Sequence, residues 1–107
     1  MEKINDEDIK ELSSLEQSSH HLLTQRQSYQ AQLVETESAL NEIDSSNIVY
    51  KIIGHIMVLS EKEKIKKELQ NKKEMLDIRI KSLLKQEEKI KEKSIDLRKK
   101  VMKNLKE

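Results

Sequence analysis

Ile48-Val49-Tyr50-Lys51-Ile52-Ile53-Gly54-His55-Ile56-Met57-Val58-Leu59 is the stretch on which the fold turns. Ile48 to Ile53 is rich in β-branched residues and reads as a strand. Gly54-His55 is a two-residue loop, and glycine in its first place suits a type II′ turn. Ile56 to Leu59 is the return strand. A lone two-stranded hairpin is marginal in water. This one has apolar residues on both faces and no proline to blunt its edges. The expected outcome is edge-to-edge pairing with hairpins of other subunits, through Ile48, Val49, Tyr50, Ile52, Ile53, Gly54, Met57 and Val58. The competing reading makes these residues a local core beneath the helix ends.

The flanking segments are long helices. Upstream, a helix is expected over about 6–44. Asn5 or Asp6 can cap it, and Asp6, Glu7 and Asp8 suit the positive end of its dipole. Its apolar positions alternate by three and four: Leu12, Leu15, Ser19, Leu22, Arg26, Tyr29, Leu33, Thr36, Leu40 and Ile43. Ser19, Arg26 and Thr36 thin that stripe, which is a coiled-coil seam in width and too narrow for a globular core. Downstream, a helix is expected over about 61–105, opened by a capping box at Ser60-x-x-Glu63. Leu69, Leu76, Leu83, Ile90 and Leu97 recur every seven residues, which implies left-handed supercoiling. Their companions three residues on (Lys72, Arg79, Gln86, Lys93) are polar, while Met75, Ile80, Leu84 and Val101 widen the stripe unevenly. The hairpin itself is expected over about 48–59, and the whole of 1–107 as one domain.

Composition removes most other functions. Among 107 residues there is no Cys, no Pro, no Trp, no Phe and one Gly. That leaves no disulfide framework, no thiolate zinc site and no cysteine nucleophile. One glycine cannot build a phosphate loop or a dinucleotide turn. No apolar run is long enough to span a membrane, and the acidic N-terminus does not read as a signal peptide. His20-His21 and His55 lack companions at ligand spacing, so no metal is expected. Glu87-Glu88 is a neighbouring carboxylate pair without a pocket to shift its titration. No cofactor is expected, and an enzyme is not.

The formal net charge of +1 hides an asymmetry. Residues 1–47 carry three basic and ten acidic side chains; residues 48–107 carry 18 basic and ten acidic. Opposite halves attract when folded back on each other, which favours an antiparallel helical hairpin over a parallel homodimer. Each exposed pair is worth only roughly 0.2–1 kcal/mol, so the asymmetry sets orientation more than stability. Nucleic-acid binding is disfavoured, because acidic residues are interleaved with the lysines and aromatics for base stacking are almost absent. The expected class is therefore mainly α: an antiparallel two-helix coiled coil with a single β-hairpin between the helices.

Val49-Tyr50-Lys51-x-x-Gly54 and Met57-Val58-Leu59, followed by Glu68-Leu69-x-x-Lys72-Lys73-Glu74-x-Leu76-x-Ile78-Arg79-Ile80-Lys81 and Gln86-Glu87-Glu88-Lys89, resemble the strands and second helix of β-class prefoldin subunits. The single hairpin fits that class, since α-class subunits carry two. His55 after the turn glycine departs from the family pattern. So does the lysine-dense end (Arg98, Lys99, Lys100, Lys103, Lys106), where many members are more apolar. The resemblance implies hairpins assembled into an oligomeric β-barrel hub with coiled-coil arms. It implies a cytoplasmic hetero-hexamer with α-class and other β-class subunits. It also implies ATP-independent capture of non-native polypeptides at the arm ends and their delivery to a group II chaperonin. Client contacts are then expected from Ile4, Ile9, Leu12, Leu97, Val101, Met102 and Leu105. Ile9, Leu12, Leu97 and Val101 have an equally open alternative, closing the seam against each other. The rival function is a structural coiled-coil adaptor that oligomerises through its hairpin.

Overall fold

The structure is a computed structural model, which describes residues 6–106. Its elements are α1 (Asp6–Ile43), β1 (Val49–Ile53), β2 (Ile56–Ser60) and α2 (Lys62–Lys106), with the strands in one antiparallel sheet. The chain forms two compact units, a hairpin unit over residues 28–80 and a terminal unit made of residues 6–27 with 81–106.

In the hairpin unit, α1 ends one residue before the expected boundary. The amides of Ser45 and Ser46 donate to the carbonyls of Glu42 and Ile43, tightening the last turn. The last turn of α1 holds no basic residue of its own. Lys62 from α2 supplies the cation, donating to the Asp44 carbonyl at 2.8 Å. Lys66 lies 2.9 Å from the Asp44 carboxylate. Their hydrogen bond and mutual charge hold the Asp44 carboxyl below its ordinary value and Lys66 above its own. The pair's small stabilisation therefore spans neutral pH. It fades as pH falls through the lowered carboxyl value or rises through the raised ammonium value.

The capping box does not form. Pairing in the sheet runs on to Val49↔Ser60, which holds Ser60 in β2. Its hydroxyl sits 3.5 Å from the Val58 carbonyl. Glu61 takes the cap position instead, its carbonyl accepting the first helical hydrogen bond from Ile65.

The α1 seam follows the expected spacing. Leu33, Thr36, Leu40 and Ile43 are buried or half-buried, and the Thr36 hydroxyl is satisfied by the Gln32 carbonyl at 2.8 Å. The α2 seam corrects the expectation. Lys72, Arg79, Gln86 and Lys93 are exposed. The row that accompanies the heptad leucines lies four residues on, at Lys73, Ile80, Glu87, Ser94 and Val101, all buried or half-buried. Leu76 and Ile80 form the buried centre of the hairpin unit with Ile43. Antiparallel packing shows in its cross-helix contacts: Asp44 meets Lys66, and the Tyr29 hydroxyl accepts from Arg79 at 3.2 Å. The Arg79 guanidinium also lies 5.5 Å from the Tyr29 ring centre.

The terminal unit is antiparallel as well. Glu16 meets Arg98 at 3.0 Å, and Asp8 meets Lys100 at 3.5 Å. Asp8 continues the α1 seam one step beyond Leu12 and is buried. Its Oδ2 has no hydrogen-bond partner, the lysine being near enough to attract but not to bond well. The shortest ion pair among the described residues is Arg26 Nε to Glu87 Oε2, at 2.6 Å, with side chains 22% and 18% exposed. Both residues interrupt their apolar rows, and each supplies the partner the other needs. The pair reverses the prevailing polarity, since here the base is on α1 and the acid on α2. Reversing one charge alone (Arg26→Glu or Glu87→Arg) sets like charges together, and the double exchange restores attraction. Thermal or urea unfolding of the four species is expected to give a coupling energy of about 0.5–3 kcal/mol. A double exchange no more stable than the additive singles would contradict this pairing.

Candidate functional site: an exposed β-hairpin

The hairpin is built on one permissive residue. Gly54 has φ of 61°, and no non-glycine among the described residues has positive φ. A type I′ turn would need positive φ at His55 also, so the turn is of the II′ kind, as the sequence predicts. That turn fixes the register Ile53↔Ile56, Ile52↔Met57, Lys51↔Val58 and Tyr50↔Leu59.

Residues paired directly across the strands share a face. One face carries Val49, Lys51, Ile53, Ile56, Val58 and Ser60. It looks toward α2, because Lys51 lies 3.0 Å from Glu68. The other carries Tyr50, Ile52, Met57 and Leu59, every one apolar in body and exposed. Pairs alternate between hydrogen-bonded and open along an antiparallel ladder, and the turn closes Ile53 against Ile56. The open pairs are then Ile52↔Met57 and Tyr50↔Leu59. The same four residues therefore present an unbroken apolar face and the outward backbone groups of both free edges. Beside β1 lies a groove of about 630 Å³, lined in part by Ile48, Val49, Tyr50 and Ile52 with Ile43, Ile65 and Leu69.

Of the residues expected to mediate assembly, Ile48, Tyr50, Ile52, Ile53, Gly54, Met57 and Val58 are exposed. Val49 is half-buried. The local-core reading fails for the exposed ones, since nothing among the described residues covers them. Ile56 and Leu59 fall outside that expected set and are as exposed as any of it. The register alone would have found them, as partners of Ile53 and Tyr50.

The second candidate surface lies in the terminal unit. Ile9, Met102 and Leu105 point outward. Leu12, Leu97 and Val101 are half-buried along the seam, the position in which they would close it. Ile4 lies outside the described residues. No group of three metal-binding side chains exists among the described residues, and none of their helices is long and apolar enough to cross a membrane. Glu87 is engaged by Arg26.

Two antiparallel helices joined by a β-hairpin with an open apolar face define a helix–hairpin–helix class of protein. The prefoldin subunit family model matches residues 6–107. Prefoldin subunit beta of Archaeoglobus fulgidus is 41% identical over 96 residues, covering 87% of this chain and 83% of that one. Prefoldin subunit beta of Pyrococcus furiosus is 37% identical over 94 residues, covering 85% and 80%. The crystal structure of the prefoldin beta subunit from Thermococcus strain KS-1 superimposes with a TM-score of 0.85 at 32% identity, covering 100% of this chain and 99% of that one. The chain belongs to the prefoldin subunit family, whose members are chaperone subunits and not enzymes, and its likeness is to the β class.

Proposed function

We propose that residues 1–107 act as one prefoldin-like domain of an ATP-independent chaperone. The hairpin joins α-class and other β-class subunits in a cytoplasmic hetero-hexamer with a β-barrel hub. The terminal unit captures non-native polypeptides, which pass to a group II chaperonin. The observation that carries this reading is the exposed face of Tyr50, Ile52, Met57 and Leu59, whose backbone edges are also open. A two-stranded hairpin with one face uncovered is marginal in water, and neighbouring chains that cover that face add to its stability. Non-native chains expose apolar surface, and several weakly gripping ends acting on one chain gain by effective concentration. Methionine at position 102 suits contacts with varied partners.

Mass measurement of the chain alone and co-expressed with an α-class subunit tests the assembly. The expected shift is from small species to six chains. Capture is tested separately. Replacing Ile9, Met102 and Leu105 together by Ser is expected to weaken suppression of client aggregation severalfold and leave the assembly's mass unchanged, since all three face solvent. Full suppression by that variant would remove these residues from the client surface. An assembly that forms but suppresses nothing would instead make the chain a structural adaptor.

A further inference from the structure

Within the terminal unit, the Arg26–Glu87 contact fixes how the two seams face each other. Stepping away from it by alternating threes and fours sets Leu22 against Ile90, Ser19 against Ser94, Leu15 against Leu97 and Leu12 against Val101. Two of the layers are not apolar: the serine pair and the Arg26–Glu87 pair. Between them stands the single apolar layer of Leu22 and Ile90. Ser19 is exposed although it occupies a seam position. A groove of about 540 Å³ opens there, with Ser19, Ser94, Leu23 and Ile95 in its walls. In the same stretch the Thr24 hydroxyl donates back to the His20 carbonyl at 2.9 Å, a bond that competes with the helix's own ladder and tends to bend it.

We propose that residues 19–26 with 87–94 form a joint, a section where the two helices part and re-close more readily than at the apolar layers of Leu12, Leu15, Leu97 and Val101. The serine layer buries little apolar surface and is small enough to admit water. The Arg26–Glu87 pair holds the helices together directionally, yet both groups rehydrate when they separate. Under the chaperone reading, on which this use of the joint rests, parting there lets the helix ends change spacing to suit clients of different bulk.

Hydrogen exchange on the full chain in its assembly tests the joint without reference to clients. Amides of 19–26 and 87–94 are expected to exchange about tenfold or more faster than those of 12–15 and 97–101. That pattern reverses ordinary fraying, in which protection falls steadily toward the chain ends. Ordinary fraying would overturn the proposal. In Ser19→Leu/Ser94→Leu, which fills the gap, protection of the section is expected to rise to that of the flanking layers. Unchanged protection would also overturn it. The same variant is expected to suppress aggregation of bulky clients less than of small ones. An unaltered client range would refute the joint's part in capture. A wild-type assembly that suppresses nothing would refute the chaperone reading, with the exchange contrast still deciding the joint.

Discussion

Ile52→Asp is expected to dissociate the assembly. Ile52 is 68% exposed within its own chain, so the substitution has no core of that chain to damage. Its side chain lies on the all-apolar face, paired with Met57 and beside Tyr50, and its backbone points to the free edge of β1. A neighbouring strand that satisfies that edge also covers that face. The carboxylate would then be buried without a partner, at a cost of several kcal/mol per interface. Each 1.4 kcal/mol is tenfold in association, so repeated interfaces move the midpoint by orders of magnitude. Lys51→Ala is the control. Lys51 lies on the opposite face, held by an exposed pair with Glu68 that is worth roughly 0–1 kcal/mol. Light scattering is expected to find Ile52→Asp as small species and Lys51→Ala as the intact assembly. An unchanged mass for Ile52→Asp would refute edge pairing through this face.

What the sequence discloses and what it withholds divide along the range of the interactions. The hairpin is legible because strand propensity, the glycine of its turn and the missing proline all act within twelve residues. The α1 seam is legible because its own spacing repeats. The α2 seam is only half legible. Its leucines recur every seven residues, but its second row holds Lys73, Glu87 and Ser94, so hydropathy marks it only at Ile80 and Val101. Whether the row lies three or four residues on depends on the facing helix. Arg26 looks like a flaw in α1 for the same reason, since its partner is 61 residues away. The capping box fails through a competition invisible locally: one more ladder pair, Val49↔Ser60, takes the serine first. Among the expected client contacts, exposure separates Ile9, Met102 and Leu105 from Leu12, Leu97 and Val101. Composition cannot make that distinction, because all six are large and apolar.

The largest loss of stability is expected from Leu76→Ala. Leu76 is 1% exposed, the one large side chain among the described residues that is fully enclosed. It packs in the section where Thr36, Ile43 and Ile80 are also buried. The gap left by truncation has little means of closing. Asp44–Lys66 and Tyr29–Arg79 pin the helices of the hairpin unit to either side of it, and the Thr36 hydroxyl is already committed to its own helix. Truncation therefore forfeits both transfer energy and cavity contacts, about 2–5 kcal/mol. Ile78→Ala makes the argument specific. Ile78 stands two residues away on the same helix, is as hydrophobic, and is 69% exposed. Its replacement removes little packing and gains helix propensity, so stability is expected within about 0.5 kcal/mol of wild type. Melting by circular dichroism at fixed chain concentration separates the two variants. Equal melting temperatures would mean that position 76 does not face the partner helix, and the α2 seam would then run in a different phase.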